Sequence, residues 1–238
     1  MNQSLRILLW DLDGTLVRGK RFGTFKDYTI PMLETVFGTA GSLRGLVVSG
    51  MTDLQIVEEA LRCEGITREH ISARKDQLRT CYIEEMKRAV SNGAHVIEAI
   101  PGAMEALQAL DAHPRYRSGL LTGNIEPAAH LKVEATGLDK FFTLPGAFGD
   151  ESFDRRDLPA LAVARINQHL GVELSPEHFI VIGDTPNDIA CARHFGARVV
   201  AVATGRVHSR EDLLEHKPDA LLPDLSDVEL VLRTLDAL

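Results

Sequence analysis

The sequence predicts an α/β protein, with a Rossmann-like parallel sheet as its core and an inserted α-helical cap domain. Three observations lead there. From residue 100 to residue 238, short apolar runs bounded by glycine and polar turns alternate with stretches of helical periodicity. One more run of the same kind, "LRILLW" at 5–10, stands alone near the N-terminus and has no sheet unless it joins the later strands. The long segment between them reads almost wholly as helix.

The elements follow in order. After the first strand, "TFKDYTIPMLETVFG" carries apolar residues at helical spacing, and "TDLQIVEEALRCEG" starts at a capping Thr52 and stops at Gly65. Residues 68–92 read as one long charged helix ending at Gly93. After Pro101 the rhythm changes: helix "PGAMEALQAL", strand "YRSGLLTG", helix "EPAAHLKVEATG", and a short strand and loop in "FFTLPGAFG". Helix "DLPALAVARINQHLG" follows, with proline near its start, then strand "HFIVIGD" and helix "PNDIACARHFG". Strand "RVVAVATG", helix "REDLLEH", strand "DALLPDL" and a terminal helix complete the chain. Apolar strands separated by helices imply a parallel sheet covered on both faces. The expected division is a core of 1–16 and 100–238, with a cap of 17–99 over the carboxyl edge of the sheet.

Composition narrows the function classes. Asp and Glu number 34 against 26 Lys and Arg, which argues against a broad nucleic-acid-binding surface. An acidic chain binds an anion through a local device such as a metal or a few focused cations. The three cysteines, Cys63, Cys81 and Cys191, are widely spaced and suggest neither a disulfide framework nor a CxxC site. The apolar run in "MNQSLRILLW" is too short for a secretory signal, and no stretch has the length of a membrane span, so a cytoplasmic location without membrane contact is expected.

The polar residues of interest fall at strand ends, where open parallel sheets bind ligands. They are "DLDGT" (11–15), "TGN" (122–124) and "GDTPND" (183–188). Asp11 and Asp13 project to one side of an extended segment, Leu12 turns into the packing, and Gly14 lets the chain turn at once. Two carboxylates placed together, with Asp184 arriving from another strand, repel one another unless a cation or a proton lies between them. A hard divalent cation with oxygen ligands, Mg2+, fits that need. Each motif alone has a plainer reading: an acidic turn, a turn after a strand, a helix cap at "GDTPND". Their coincidence at three strand ends is what carries the inference.

"WDLDGTL", "LLTGN" and "VIGDTPND" in this order resemble the motifs of the haloacid dehalogenase superfamily. The resemblance covers nearly the whole chain. It extends through "SGMTDLQIVEEAL" and "LTGNIEPAAHLKVEATGLDKFF" to the branch that includes phosphoglycolate phosphatase, with its helical cap. The resemblance implies an Mg2+-dependent phosphatase acting on a small phosphorylated metabolite, as a monomer or homodimer. Asp11 would be the nucleophile and Asp13 the general acid and base. Thr122, Gly123 and Asn124 would hold the phosphoryl group, and Thr15 is grouped with them as a support of the nucleophile's loop. Asp11, the Asp13 carbonyl, Asp184 and Asp188 would serve the metal. The alternatives are a phosphomutase of the same superfamily, a dehalogenase, or a non-catalytic binding protein. One motif departs from the family. Its usual lysine upstream of GDxxxD is missing, since residues 141–184 contain none, but "DRRDLPALA" offers Arg155 and Arg156. The resemblance favours Arg155; spacing does not choose.

Overall fold

The computed structural model describes residues 5–238, so the first four positions of the core segment, also read above for a leader, lie outside the described residues. The chain runs β1 (Arg6–Trp10), β2 (Val17–Gly19), α1 (Lys26–Phe37), α2 (Asp53–Leu61), α3 (Arg68–Ser72), α4 (Lys75–Ser91) and β3 (Ile97–Ala99). It continues through α5 (Ala103–Ala112), β4 (Tyr116–Leu120), α6 (Glu126–Thr136), α7 (Leu158–Leu170) and β5 (Phe179–Gly183). The last elements are α8 (Pro186–Phe195), β6 (Arg198–Val202), α9 (Arg210–Glu215), β7 (Ala220–Leu222) and α10 (Val228–Asp236).

Five strands form one parallel sheet in the order β4-β1-β5-β6-β7. The isolated N-terminal strand thus lies between two strands from much later in the chain. Trp10 pairs with both Leu120 and Ile182, so β1, β4 and β5 end at one level. Successive side chains on a strand face opposite ways, and each face finds its own helices. Leu8, Trp10, Ile180 and Ile182 pack with residues of α5, α6 and α10. Ile7, Leu9, Phe179 and Val181 pack with residues of α7 and α8. Burial on both faces is why these strands read as unbroken apolar runs. Trp10 is core, and its indole N–H donates to Ser118 Oγ at 3.1 Å.

The helices between β2 and β3 build a separate apolar cluster around Tyr28, Met32, Leu54, Ile71, Leu78 and Met86, which meets the core at Ile125 and Ala128 of the α6 start. Three local expectations need correction. Residues 68–92 are not one helix: the chain bends at Ala73 and Arg74, because α3 packs on α2 while α4 packs on α1. "FFTLPGAFG" forms no strand, only a single bridge between Leu121 and Ala147. Pro145 has no N–H to donate to a ladder. An unexpected antiparallel ribbon joins β2 to β3, Val17 opposite Ala99 and Gly19 opposite Ile97, where the chain leaves the core and returns.

Candidate active site

Asp11 continues β1 past the end of its run, and its N–H donates to Ile182 O at 2.9 Å. Its carboxylate is buried, with Oδ1 accepting from Arg155 Nη2 at 2.7 Å. The same Nη2 donates to Asp188 Oδ1, so one guanidinium joins the end of β1 to the start of α8. Arg155 Nη1 donates to Gly50 O at 3.2 Å. Asp154 caps the short turn 155–157, accepting from Arg156 N at 2.9 Å. In a turn of about three residues per revolution, neighbouring side chains diverge widely, so only one arginine can face inward. Arg155 does. Arg156 does not reach the site: it is exposed and forks onto Asp154, which corrects its place among the catalytic candidates.

Asp184 follows β5 and is buried beside Asp11. Thr15 is also fully buried, and its hydroxyl donates to Asp184 Oδ1 at 3.0 Å. Thr15 therefore steadies an acid and is not part of the cavity wall, which corrects its place beside Gly123 and Asn124. Gly14 has φ +96°, and a Cβ there would lie 2.3 Å from Asp184 Oδ2; a Cβ on Gly205 would lie 2.0 Å from the same oxygen. Only glycines allow the backbone so close to this carboxylate. Asp11, Asp184 and Asp188 each offer an oxygen within 4.8 Å of the others. Burial first pushes the Asp11 and Asp184 carboxyls above the ordinary carboxylate range; the charges of Asp188 and Asp13 add to it at Asp11 and those of Asp11 and Asp188 at Asp184, with Arg155 opposing the shift at both. Such a cluster fits a divalent cation, which would relieve the repulsion. Asp188 already has both oxygens engaged, Oδ1 by Arg155 and Oδ2 by the Thr185 N–H at 3.0 Å and hydroxyl at 2.7 Å.

Asp13 lies two residues on, nearly half-exposed at the cavity. Its Oδ2 accepts from Lys132 Nζ at 2.5 Å and from Asn124 Nδ2 at 2.8 Å. Lys132 Nζ also donates to Asn124 Oδ1 at 2.6 Å, and Asn124 Nδ2 reaches Thr122 Oγ1 at 2.8 Å. Asp13, Lys132, Asn124 and Thr122 thus form one connected set. Burial opposes the Lys132 charge, but the Asp13 carboxylate holds its pKa above the usual lysine value. In turn, Lys132 and then Asn124 hold the Asp13 carboxyl below the usual carboxylate range.

The inserted helical segment is laced to these loops. The Asp53 N–H donates to Gly123 O at 2.7 Å, and the Leu54 N–H to Gly149 O at 3.2 Å. Asp53 Oδ2 accepts from the Ile125 N–H at 2.8 Å, at the start of α6. Asn187 Nδ2 donates to Ser49 O at 3.2 Å. A Cβ on Gly123 would come within 2.0 Å of Met51 O, so the glycine of "TGN" is what lets the two backbones meet. Burial pushes the Asp53 carboxyl up to about 6 despite the Ile125 N–H. Thr52 caps α2 as its sequence position implies, accepting from Gln55 N at 3.1 Å. Between this segment and the strand ends lies a cavity of about 610 Å3 whose walls include Asp11, Asp13, Thr122, Asn124, Lys132, Arg155 and Asp184.

A model of the haloacid dehalogenase-like hydrolases matches residues 5–196. The chain belongs to that family. Among relatives, a pyrophosphatase PpaX of Oceanobacillus iheyensis is 24% identical over 94% of this chain and 95% of its own. A phosphoglycolate phosphatase of Nitrosococcus oceani is 23% identical over 95% of this chain and 96% of its own. A Thermotoga maritima structure, titled as a proposed β-phosphoglucomutase, has the same fold, with a TM-score of 0.60 and 22% identity over 96% of this chain and 99% of that one.

Two residues of this haloacid dehalogenase-like hydrolase matter more to the site than sequence reasoning allowed. None of the three strand-end motifs includes Lys132. The signal for it was its position four residues after Ala128, on the buried side of α6 with Ala129 and Val133. Asp53 reads equally well as a first-turn helix acid, and nothing in the sequence shows that it crosses to Ile125. All three cysteines are free, Cys63 exposed and Cys81 and Cys191 buried. Among the described residues no helix is long and apolar enough to cross a membrane.

Proposed function

We propose that the protein is an Mg2+-dependent phosphomonoesterase that works through an aspartyl-phosphate, an acyl phosphate, on Asp11. One observation carries the reading: a buried Asp11 held by Arg155 among two further acids, with Asp13 beside it in the cavity on its own cation. Asp11 would attack phosphorus with the carboxylate oxygen not held by Arg155. Asp13 would protonate the leaving alkoxide and then take a proton from the hydrolytic water. Thr122 and the backbone N–H groups after it would hold the phosphoryl oxygens, and Arg155 would offset their charge. Asp11, Asp184, the Asp13 carbonyl and Asp188, directly or through water, would hold Mg2+. When bound, Mg2+ supplies the positive charge that lets an anionic phosphoryl group approach Asp11. The names of the relatives, a pyrophosphatase and a phosphoglycolate phosphatase, support phosphate chemistry on a small phosphorylated substrate. The segment 17–99 is read as the cap that closes over the reacting groups and excludes water.

Phosphate release from a panel of phosphomonoesters, with and without Mg2+, tests the reading. Excess chelator is expected to remove activity and added Mg2+ to restore it, with Ca2+ supporting roughly a tenth or less because its looser coordination misplaces the reacting atoms. Asp184→Asn is expected to weaken Mg2+ binding measured by calorimetry. Full turnover in chelator by metal-free protein would remove the metal from the reading. A requirement for a sugar bisphosphate, with the phosphate returned to the sugar, would replace hydrolysis by mutase chemistry.

Lys132 is expected to act through Asp13, as a positioning residue. Lys132→Met keeps the apolar stem and removes the charge that fixes the carboxylate. Turnover of alkyl phosphates is expected to fall by about 10- to 100-fold, and that of p-nitrophenyl phosphate by much less, since its leaving group needs no proton. Equal losses for both substrates would assign Lys132 to general support of the fold.

A further inference from the structure

We propose that the substrate is a phosphomonoester with a mainly apolar organic group, which runs from the catalytic floor out through a collar formed by Phe22, Val47 and Val207. This rests on the phosphomonoesterase reading above. The collar residues come from three distant parts of the chain, two from the inserted segment and one from the loop after β6. They are among the most exposed large apolar side chains of the described residues, at 73%, 67% and 43%, and all three line the active-site cavity. Isolated apolar side chains on a surface need no explanation, but a convergent group at a cavity mouth marks a binding surface. Phe25, Leu46 and Ile56 add further apolar surface to the walls of the same cavity.

Of the cations along this part of the cavity, the Arg18 side chain has no partner among the described residues, its buried Nε included, while the other three are engaged. Arg21 Nη2 donates to Ala94 O at 2.8 Å and lies 3.6 Å from Asp27. Lys26 Nζ donates to Arg44 O at 2.7 Å, and Arg206 Nη1 to Gly19 O at 3.1 Å. With Phe22, Phe25, Leu46, Val47, Ile56 and Val207 on it, the wall presents mainly apolar surface to a bound organic group. Its volume, about 610 Å3, lies within the range of roughly 300–1,000 Å3 that encloses drug-sized ligands. A small polyanion would occupy only the floor and leave the collar facing water. With the phosphoryl group fixed at Asp11, every added methylene would pass into the apolar wall and bind more tightly.

One polar feature also belongs to this wall. The Thr24 hydroxyl donates to Arg21 O at 3.2 Å, so His95 Nδ1, 2.7 Å from that hydroxyl, must be the donor to it. His95 Nε2 is then a bare acceptor, buried and without a partner among the described residues. Burial, with Lys132 adding to it, lowers the imidazole to about 4, which keeps the ring neutral. A single O–H or N–H on the organic group would satisfy it.

The test is kcat/KM of the full-length, Mg2+-supplied protein for ethyl, butyl and hexyl phosphate, with 2-phosphoglycolate and pyrophosphate alongside. Efficiency is expected to rise roughly threefold per methylene, mainly through KM. In the triple variant Phe22→Ser, Val47→Ser, Val207→Ser, the hexyl-to-ethyl ratio is expected to fall by about tenfold. All three side chains are exposed, so the fold does not depend on them. A ratio near one in the wild type, a preference for 2-phosphoglycolate or pyrophosphate over every alkyl ester, or an unchanged ratio in the triple variant would overturn the proposal and leave the phosphomonoesterase reading standing. No phosphate release from any ester would remove both.

Discussion

Asp11→Asn is expected to abolish turnover, with a loss of about four orders of magnitude or more, because no other group in the site can take the phosphoryl group in its place. The amide keeps the size of the side chain, so the fold and the Arg155 contact at Oδ1 should survive, and an unchanged melting temperature would show it. Asp13→Asn should behave differently. With an alkyl phosphate both halves of the reaction lack their proton carrier, and the rate should fall by about 10²- to 10⁴-fold. With p-nitrophenyl phosphate the first half needs no acid, so Asp11 should be phosphorylated and then stall. A burst of p-nitrophenol followed by slow turnover is the expected trace. Comparable losses on both substrates, without a burst, would assign the proton transfers to another group.

Arg155→Ala is the second large effect. The change leaves Asp11, Asp188 and the incoming phosphoryl group without the guanidinium that now bridges the two acids. Loss of such a charge-assisted contact in a dry site costs about 2–4 kcal/mol in transition-state stabilisation, roughly 30- to 1,000-fold in rate. Arg156→Ala should stay within a fewfold of wild type, since among the described residues that side chain meets Asp154 alone, in solvent. Arg155→Lys should recover part of the loss, but one ammonium cannot reproduce the fork that reaches Asp11, Asp188 and Gly50 O. Part of the Arg155→Ala defect would be structural, because Asp188 is left buried with less compensation. Measuring kcat and stability on the same variants separates the two. If Arg155→Ala lost less than threefold in kcat/KM, the cation that serves the phosphoryl group would have to be sought at Lys132.

The parallel sheet was legible because its strands are buried on both faces and therefore stand out as apolar runs between helices. The same pattern made the N-terminal strand a member of the later sheet, and its carboxyl edge then collected Asp11, Thr122 and Asp184. What stayed hidden depends on contacts between segments far apart in the chain. In "EPAAHLKVEATG" helical spacing puts Lys132 on the face of Ala128, Ala129 and Val133, but its partner Asp13 shows only once α6 is folded against it. Nothing around Asp53 shows that its carboxylate meets the Ile125 N–H, or that Gly123 is small because Met51 O lies against it. Arg155 and Arg156 are adjacent and chemically identical; only the direction of the turn decides between them. The bend at Ala73 and Arg74 carries no glycine or proline, so periodicity alone runs straight through it.

The central claim is that the phosphoryl group passes onto Asp11. Rapid acid quench of the Mg2+-supplied protein with 32P-labelled substrate, followed by peptide mapping, tests it directly. The label is expected on the peptide containing Asp11, acid-stable and released by hydroxylamine, more abundant in Asp13→Asn than in wild type, and missing in Asp11→Asn. Label on Asp13 or another residue, or catalytic turnover with no labelled protein at any quench time in either wild type or Asp13→Asn, would contradict it.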